Sequence, residues 1–310
     1  MKTYESIYQR LLGEDFITGE TLAKELNISR SAIWKAMKTL EDNGIRIEAV
    51  KKKGYRILSG DLLLPDRISQ ELQLPVTFTS SSESTQQDAK AAALTEASAP
   101  QLYLAATQTA ARGRHGRYFH ADKKGGIYMT MHLKPNAPYD ALPPYTVLVA
   151  SSIVKAMSRL TGKAPEIKWV NDIFLDGKKI AGILSEAITS VETGQVTDVF
   201  IGVGINFHIL DFPDTLSEIA SSLFTEEPTI TRNDLIIEIW KLFFGIPEHD
   251  LIKVYKEKSL VMEKQVTYEQ DGNTIVATVK DITDEGHLIL EDSAGKRTTL
   301  TSGEVSLSSW

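Results

Sequence analysis

Apolar residues recur along this chain with two periods, and the change from one to the other divides it into three stretches. In the first stretch Tyr4, Ile7, Tyr8, Leu11 and Leu12 mark one face of a helix. Leu22, Ala23 and Leu26 open a second apolar face, with Thr18 placed to cap it. Ile33, Ala36, Met37 and Leu40 follow at i, i+3, i+4 and i+7, with Ser29 at the capping position and Asn43-Gly44 as the stop. Ile47–Val50 and Tyr55–Ile57 then alternate as short strands around the basic turn Lys51-Lys52-Lys53-Gly54. Ser59-Gly60-Asp61 reads as a linker.

From about residue 62 to 260 the two periods mix. Strand-like runs fall at 102–106, 127–133, 167–169, 180–186 and 199–203, and helical runs at 85–97, 146–161 and 231–256. They do not alternate strictly, which predicts an α+β domain rather than a doubly wound sheet. The last fifty residues switch to short strands. These are separated by Asp271-Gly272-Asn273, Asp284-Glu285-Gly286 and Ala294-Gly295-Lys296, the spacing of a small β-barrel. The expected domains are therefore 1–60, 61–260 and 261–310.

Composition narrows the chemistry. The 310 residues are 42% hydrophobic and 24% charged, an ordinary globular balance. There is no cysteine, which excludes disulfides, thiolate metal sites and a cysteine nucleophile. The six histidines show no metal-ligand spacing. No apolar run approaches the roughly 20 residues of a membrane span, and no basic-then-apolar leader is visible. A cytoplasmic protein without membrane contact is the expectation. The net charge of −7 is uneven: residues 1–58 carry 11 basic and 8 acidic side chains, the remainder 23 and 33. A mildly basic module attached to an acidic body points to nucleic acid as a partner of the first stretch.

The polar side of the third helix supports that reading. Ser31, Trp34, Lys35 and Lys38 form a stripe opposite the apolar one. Hydroxyl, aromatic and cationic groups together can read base edges and grip phosphates in a major groove. Arg30 at the first turn and Lys51, Lys52 and Lys53 on the hairpin tip would add phosphate contacts. A winged helix that binds protein is the competing reading.

Three segments of the central stretch carry chemistry. Ala111-Arg112-Gly113-Arg114-His115-Gly116-Arg117 sets three arginines among glycines, so that backbone and guanidinium groups can close over phosphate and carboxylate. Such a loop is expected to be mobile when empty and ordered around an anion. Lys168-Trp169-Val170-Asn171-Asp172 offers a cation, an aromatic ring and an amide at a strand end. Lys179-Ile180-Ala181-Gly182-Ile183-Leu184-Ser185-Glu186 reads as a buried strand with a charge at each end. No Gly-x-x-x-x-Gly-Lys-Ser/Thr is present, which excludes a P-loop. Gly202-Val203-Gly204 lacks the third glycine of a dinucleotide fingerprint, and close strand packing explains it most simply.

In this order and spacing, the arginine loop, the Lys-Trp-x-Asn-Asp turn and the Lys-Ile-Ala-Gly-Ile-Leu-x-Glu strand resemble biotin–protein ligases. Ser84-Thr85-Gln86 resembles the Ser-Thr-Asn segment of that family, and Gly202-Val203-Gly204-Ile205-Asn206 its Gly-x-Gly-x-Asn strand. The resemblance extends over the whole chain and is closest to the bifunctional class, which also represses biotin biosynthesis. Ala111, Val170 and Gln86 depart from the commoner glycine, proline and asparagine without removing an ionisable group.

The resemblance implies a winged helix-turn-helix, a catalytic domain like that of class II aminoacyl-tRNA synthetases, and an SH3-like C-terminal barrel. It implies that biotin and ATP, with Mg²⁺, form biotinyl-adenylate, and that the biotinyl group passes to a lysine of a biotin carboxyl carrier protein. It also implies a ligand-dependent homodimer on operator DNA. Lys168, Arg114 and Arg117 become the expected catalytic groups. Ser84, Thr85, Gln86, Gln108, Arg112, Gly113, Arg114, Lys168, Phe119 and Asn206 become the expected ligand contacts. Two alternatives stay open: a transcription factor that senses the ligand without transferring it, and a lipoate–protein ligase.

Overall fold

The computed structural model describes residues 2–95, 98–121, 124–270 and 272–307. Residues 96 and 97 of the run expected as helix, and Asp271 of an expected turn, lie outside them. The chain forms two compact units: Met1–Ile68 with Thr231–Asn233, and Ser69–Ile230 with Asp234–Trp310.

The first unit holds α1 (Thr3–Leu11), α2 (Gly19–Leu26), α3 (Arg30–Asp42), β1 (Arg46–Val50) and β2 (Gly54–Ser59). Thr18 and Ser29 cap α2 and α3 as expected, each accepting a backbone N–H at 3.1 and 3.2 Å. The apolar stripes of the three helices meet in one core around Ile7, Tyr8, Leu22, Ile33 and Leu40. The β1–β2 hairpin is tied to this core by a bridge between Ile17 and Tyr55. Gly54 makes the approach possible: its φ is +109°, and a Cβ there would lie 2.0 Å from the Ile17 carbonyl oxygen. The expected linker is not a free tether. Asp61 accepts from the Arg232 guanidinium at 2.8 Å, and Asn233 bonds the backbone of Leu62 and Leu64 at 2.8 and 2.7 Å. These bonds lie within the first unit, which runs to Ile68 and takes in Thr231–Asn233.

After α4 (Pro65–Leu72), the second unit is built on a seven-stranded sheet. Its strands are β3 (Val76–Thr79), β4 (Gln101–Ala105), β5 (Ile127–Leu133), β6 (Glu166–Lys168), β7 (Asp172–Leu175), β8 (Lys178–Thr189) and β9 (Val196–Ile205), in the order β3-β4-β5-β9-β8-β7-β6. Only β3 and β4 run parallel; the other neighbours are antiparallel. The α+β expectation holds. α5 (Thr85–Ala93) packs on β4, β5 and β9, and α6 (Tyr145–Thr161) carries a nearly continuous buried run from Val147 to Val154.

The helical run expected over 231–256 is two helices, α8 (Arg232–Gly245) and α9 (Glu248–Glu257), preceded by the short α7 (Asp214–Ser217). Pro247 divides them: it has no N–H to continue a helix, disfavours helical backbone at the residue before it, and caps α9. The strand expected to be buried, β8, is half-buried, because Ile180, Ala181 and Ile183 are covered while Lys179 and Glu186 reach its accessible side. The C-terminal strands β10 (Gln265–Gln270), β11 (Asn273–Ile282), β12 (Leu288–Glu291), β13 (Arg297–Leu300) and β14 (Ser306–Leu307) form an antiparallel sheet in the order β13-β12-β11-β10-β14. No helix among the described residues is long and apolar enough to cross a membrane.

Candidate functional site

A cavity of about 320 Å³ opens on one face of the large sheet, above β5, β8 and β9. It is within the ordinary size of a small-molecule site. Antiparallel pairing sets Gly182 opposite Gly204, and Leu184 and Thr130 each opposite Gly202. The glycines are needed for what lies over them. A Cβ at Gly204 would sit 2.5 Å from the Phe119 ring, and one at Gly202 would sit 2.6 Å from Gln86 Oε1. Side chains over the sheet, not close strand packing, explain Gly-x-Gly here.

One end of the cavity is a buried polar floor. Ser84 stands at the N-cap of α5, its side chain makes no cap bond, and the residue lines the cavity. The backbone N–H of Thr85 donates to Gln108 Oε1 at 2.6 Å, a side chain doing the work of a helix cap. Thr85 and Thr130 hydroxyls are 2.9 Å apart, and Thr130 donates to Gln86 Oε1 at 3.1 Å.

The other end is cationic. Residues 112–118 form a tight loop in which Gly113 N–H donates to Arg117 carbonyl at 2.8 Å and His115 and Gly116 adopt left-handed backbone. Arg112, Arg114 and Arg117 all face the cavity. Arg114 donates to Asn171 Oδ1 at 3.3 Å, and Asn171 donates to the Ile183 carbonyl at 2.8 Å. Arg117 meets Glu304, from the segment between β13 and β14, at 2.8 Å. Lys179 and Asp172 form an ion pair at 2.6 Å on the cavity wall.

The turn after β6 is held from behind. Trp169, 4% exposed, donates its indole N–H to the Gly286 carbonyl at 2.8 Å. The buried Tyr255 hydroxyl donates to the Val170 carbonyl at 2.9 Å, and burial first, then nearby Asp172, pushes that phenol far above its usual range. The Trp169–Val170 peptide is cis.

The structure brings Ser84, Thr85, Gln86, Gln108, Arg112, Gly113, Arg114, Arg117, Phe119 and Asn206 to this one cavity. It does not bring Lys168 there: that side chain lies over the Phe174 ring, 5.8 Å from its centroid, and the cavity wall carries Lys179 instead. Both lysines stood in recognised motifs. Lys168 is paired to Asp172 through the β6–β7 ladder and Lys179 to Phe174 through the β7–β8 ladder, with its register shift between Ile173 and Phe174, and no local pattern announces these pairings. Thr130 and Glu304 were also missed. Thr130 left a signal, as a polar residue in the apolar alternation of 127–133; Glu304 left none.

On the first unit, Arg30, Ser31, Trp34, Lys35 and Lys38 are exposed along α3, and Lys51, Lys52 and Lys53 are exposed at the hairpin tip. Trp34 is 62% exposed, with the Lys38 ammonium 5.8 Å from its ring centroid.

A capped helix-turn-helix with a β-wing, joined to a domain whose cavity has an amide-and-hydroxyl floor and an arginine–lysine mouth, defines a class: a DNA-binding-type module on a carboxylate-activating ligase domain. Comparison with known proteins agrees. Residues 4–56 match an HTH domain, 78–206 the biotin/lipoate A/B protein ligase family, and 261–308 the biotin protein ligase C-terminal domain. The chain is 35% identical over 223 residues to the bifunctional ligase/repressor BirA of Bacillus subtilis, covering 68% of this chain and 67% of that protein. It is 28% identical over 310 residues to the protein of the same name from Salmonella typhimurium, covering 95% and 94%. Its fold matches a biotin protein ligase from Aquifex aeolicus, solved with biotin and ATP, at a TM-score of 0.61 and 22% identity over 75% of this chain and 98% of the other. The chain belongs to the biotin protein ligase family, in its bifunctional ligase/repressor branch.

Proposed function

We propose that this protein activates biotin with ATP and transfers it to a carrier-protein lysine, and that its N-terminal unit represses transcription from an operator when the product of the first step is bound. The observation that carries the reading is the polarity of the cavity: buried amide and hydroxyl groups at one end, and Arg112, Arg114, Arg117 and Lys179 at the other. A ureido ring fits the first end. A carboxylate meeting a triphosphate needs the second.

In the first step a carboxylate oxygen of biotin attacks the α-phosphorus, forming the acyl–phosphate bond as pyrophosphate leaves. Both reactants are anions, so the work of the protein is positioning and charge neutralisation. Lys179 and Arg114 are the groups assigned to the reacting phosphate, Arg112 and Arg117 to the outer phosphates, and Asn206 and Phe119 to the adenylate. In the second step a lysine amine attacks the acyl carbon, AMP departs, and the ammonium proton is lost to solvent or to AMP. The partner is the biotin carboxyl carrier protein of a carboxylase.

Mg²⁺ belongs to this reading through ATP. Among the described residues no three acidic or imidazole groups gather into a cage. Magnesium is commonly held by one or two carboxylates plus substrate phosphates, and Asp172, on the cavity wall, is the carboxylate assigned to it in this reading. The metal would share the phosphate charge.

The domain organisation that goes with this function is a DNA-binding module over 1–60, a catalytic domain over 61–260 and a C-terminal domain over 261–310. Arg30, Ser31, Trp34, Lys35, Lys38 and Lys51–Lys53 are the assigned DNA contacts. A ligand-bound homodimer would present two such modules to a palindrome.

The test is incubation with biotin, Mg²⁺ and ATP labelled at the α-phosphate. A biotin-dependent labelled adenylate is expected, and mass spectrometry of a carrier protein should then show biotin rather than lipoate. Biotin binding without adenylate would replace the enzyme with a ligand-sensing transcription factor.

A further inference from the structure

Gln86 lies on the cavity wall and is 8% exposed, and its amide nitrogen is engaged by the protein itself. That nitrogen faces three acceptors: the Glu186 carboxylate at 2.9 Å, the Phe200 carbonyl at 3.2 Å and the Leu184 carbonyl at 3.3 Å. Glu186 is itself paired with Lys90 at 2.8 Å. No donor is in this set, so the amide has one admissible orientation; a flip would press its oxygen against three oxygens. The oxygen therefore faces Thr130 Oγ1, 3.1 Å away.

The consequences run in one direction. An amide oxygen only accepts, so the single Thr130 proton is committed to Gln86. The 2.9 Å contact between Thr130 and Thr85 must then be filled by the Thr85 proton. Thr85 is left with lone pairs only toward the cavity. Its neighbour Gln108 is fixed in the opposite sense, because Gln108 Oε1 accepts from the Thr85 N–H at 2.6 Å and its NH₂ remains as donor. Gly202 secures the arrangement, since any Cβ there would strike Gln86 Oε1.

We infer that Gln86 is a positioning residue that sets the hydrogen-bond polarity of the cavity floor through Thr130, so that Thr85 can accept from a ring N–H of the ligand but cannot donate to a ring oxygen. This rests on reading the cavity as a biotin site, and it assigns Gln86 a role through its neighbours instead of the direct ligand contact its motif suggests.

The measurement is calorimetric binding of biotin and of its two cyclic carbamate analogues, each with one ring N–H replaced by oxygen. The wild-type protein should prefer biotin to one carbamate by on the order of 10- to 100-fold, because two acceptors then face each other in a buried site. In Thr130→Val or Gln86→Met the Thr85 hydroxyl can turn, and the preference should fall by about tenfold. Thr130→Ser, which keeps the relay, should retain it. A merely structural role would weaken biotin and carbamate alike and leave the ratio unmoved. An unchanged ratio in both disrupting variants overturns the inference while leaving the biotin site intact. Failure of the wild-type protein to bind biotin at all overturns the reading beneath it.

Discussion

Lys179 Nζ lies 2.6 Å from Asp172 Oδ1, joining the start of β8 to the start of β7 on the wall of the cavity. Neither residue is fully buried, so the ion pair itself adds little stability. Its interest is placement. Lys179 is a cation on the wall of the cavity proposed above to hold the reacting phosphate, and Asp172 is the carboxylate beside it.

Replacing Lys179 by Met should therefore lower the rate of adenylate formation by about 10²- to 10³-fold, the usual effect of removing one charge-stabilising group from a reacting phosphate. The fall for Lys168→Met should be at least tenfold smaller. The double variant Lys179→Met/Asp172→Asn separates loss of the cation from exposure of an unpaired carboxylate. Equal falls for the two lysines, measured with labelled ATP, would return the catalytic role to Lys168.

Gly204→Ala tests the surface beneath Phe119. The added methyl would lie 2.5 Å from the ring, which must swing out of its place. Ligand affinity should drop by about tenfold or more with little change in thermal stability, since the ring end can move where backbone could not. Combining it with Phe119→Ala should give less than the sum of the two losses, because the clash disappears with the ring. Additive losses would mean that the glycine serves the ligand directly.

Tyr255→Phe leaves the part-buried Val170 carbonyl without its 2.9 Å donor and should cost about 1 kcal/mol in denaturant unfolding. The pH dependence has a definite sign. The folded-state phenol titrates well above the unfolded value near 10, so the unfolded chain loses this proton first and stability falls as pH rises beyond that point. The variant should lack this share of the alkaline loss. Parallel stability curves for the two proteins above pH 10 would refute the assignment.

Two changes in the first unit separate its fold from its contacts. Lys35→Ala/Lys38→Ala should weaken operator binding and reduce the salt slope by about 2, with adenylate formation retained. Gly54→Ala should instead destabilise the unit by at least about 2 kcal/mol, since it combines a φ of +109° with a methyl 2.0 Å from the Ile17 carbonyl oxygen. Unchanged gel shifts for the lysine variant would make the winged helix a protein-binding module.

Biotin with ATP should tighten operator binding, since the liganded form is the one assigned to dimerise. Equal affinity with and without the ligands, at one salt concentration, would uncouple the two activities.

Periodic and capped features were legible from the residues alone. Ser29 before Ile33, Ala36, Met37 and Leu40 fixed the start and the buried face of α3, because capping and helical periodicity act within a few residues. The exposed stripe of Trp34, Lys35 and Lys38 followed from the same period. The arginine loop and the Ser84–Gln86 segment were visible as short runs whose residue types suit anions and polar rings, and both reach the cavity. Pairing and register decided the rest. Lys168 and Lys179 are both lysines at the edge of recognised motifs, and only the pairing of β6, β7 and β8 sets one of them on the cavity wall. Glu304 joins Arg117 from 187 residues away, a distance over which local sequence carries no information. The amide of Gln86 takes its orientation from Leu184, Glu186 and Phe200, which meet only after two strands and a helix have packed. What lies within a turn or a strand the sequence determined, because propensity, capping and period are local. Which groups face one another, and which atom of each donates, the tertiary structure decided, because hydrogen-bond polarity depends on neighbours that are distant in the chain.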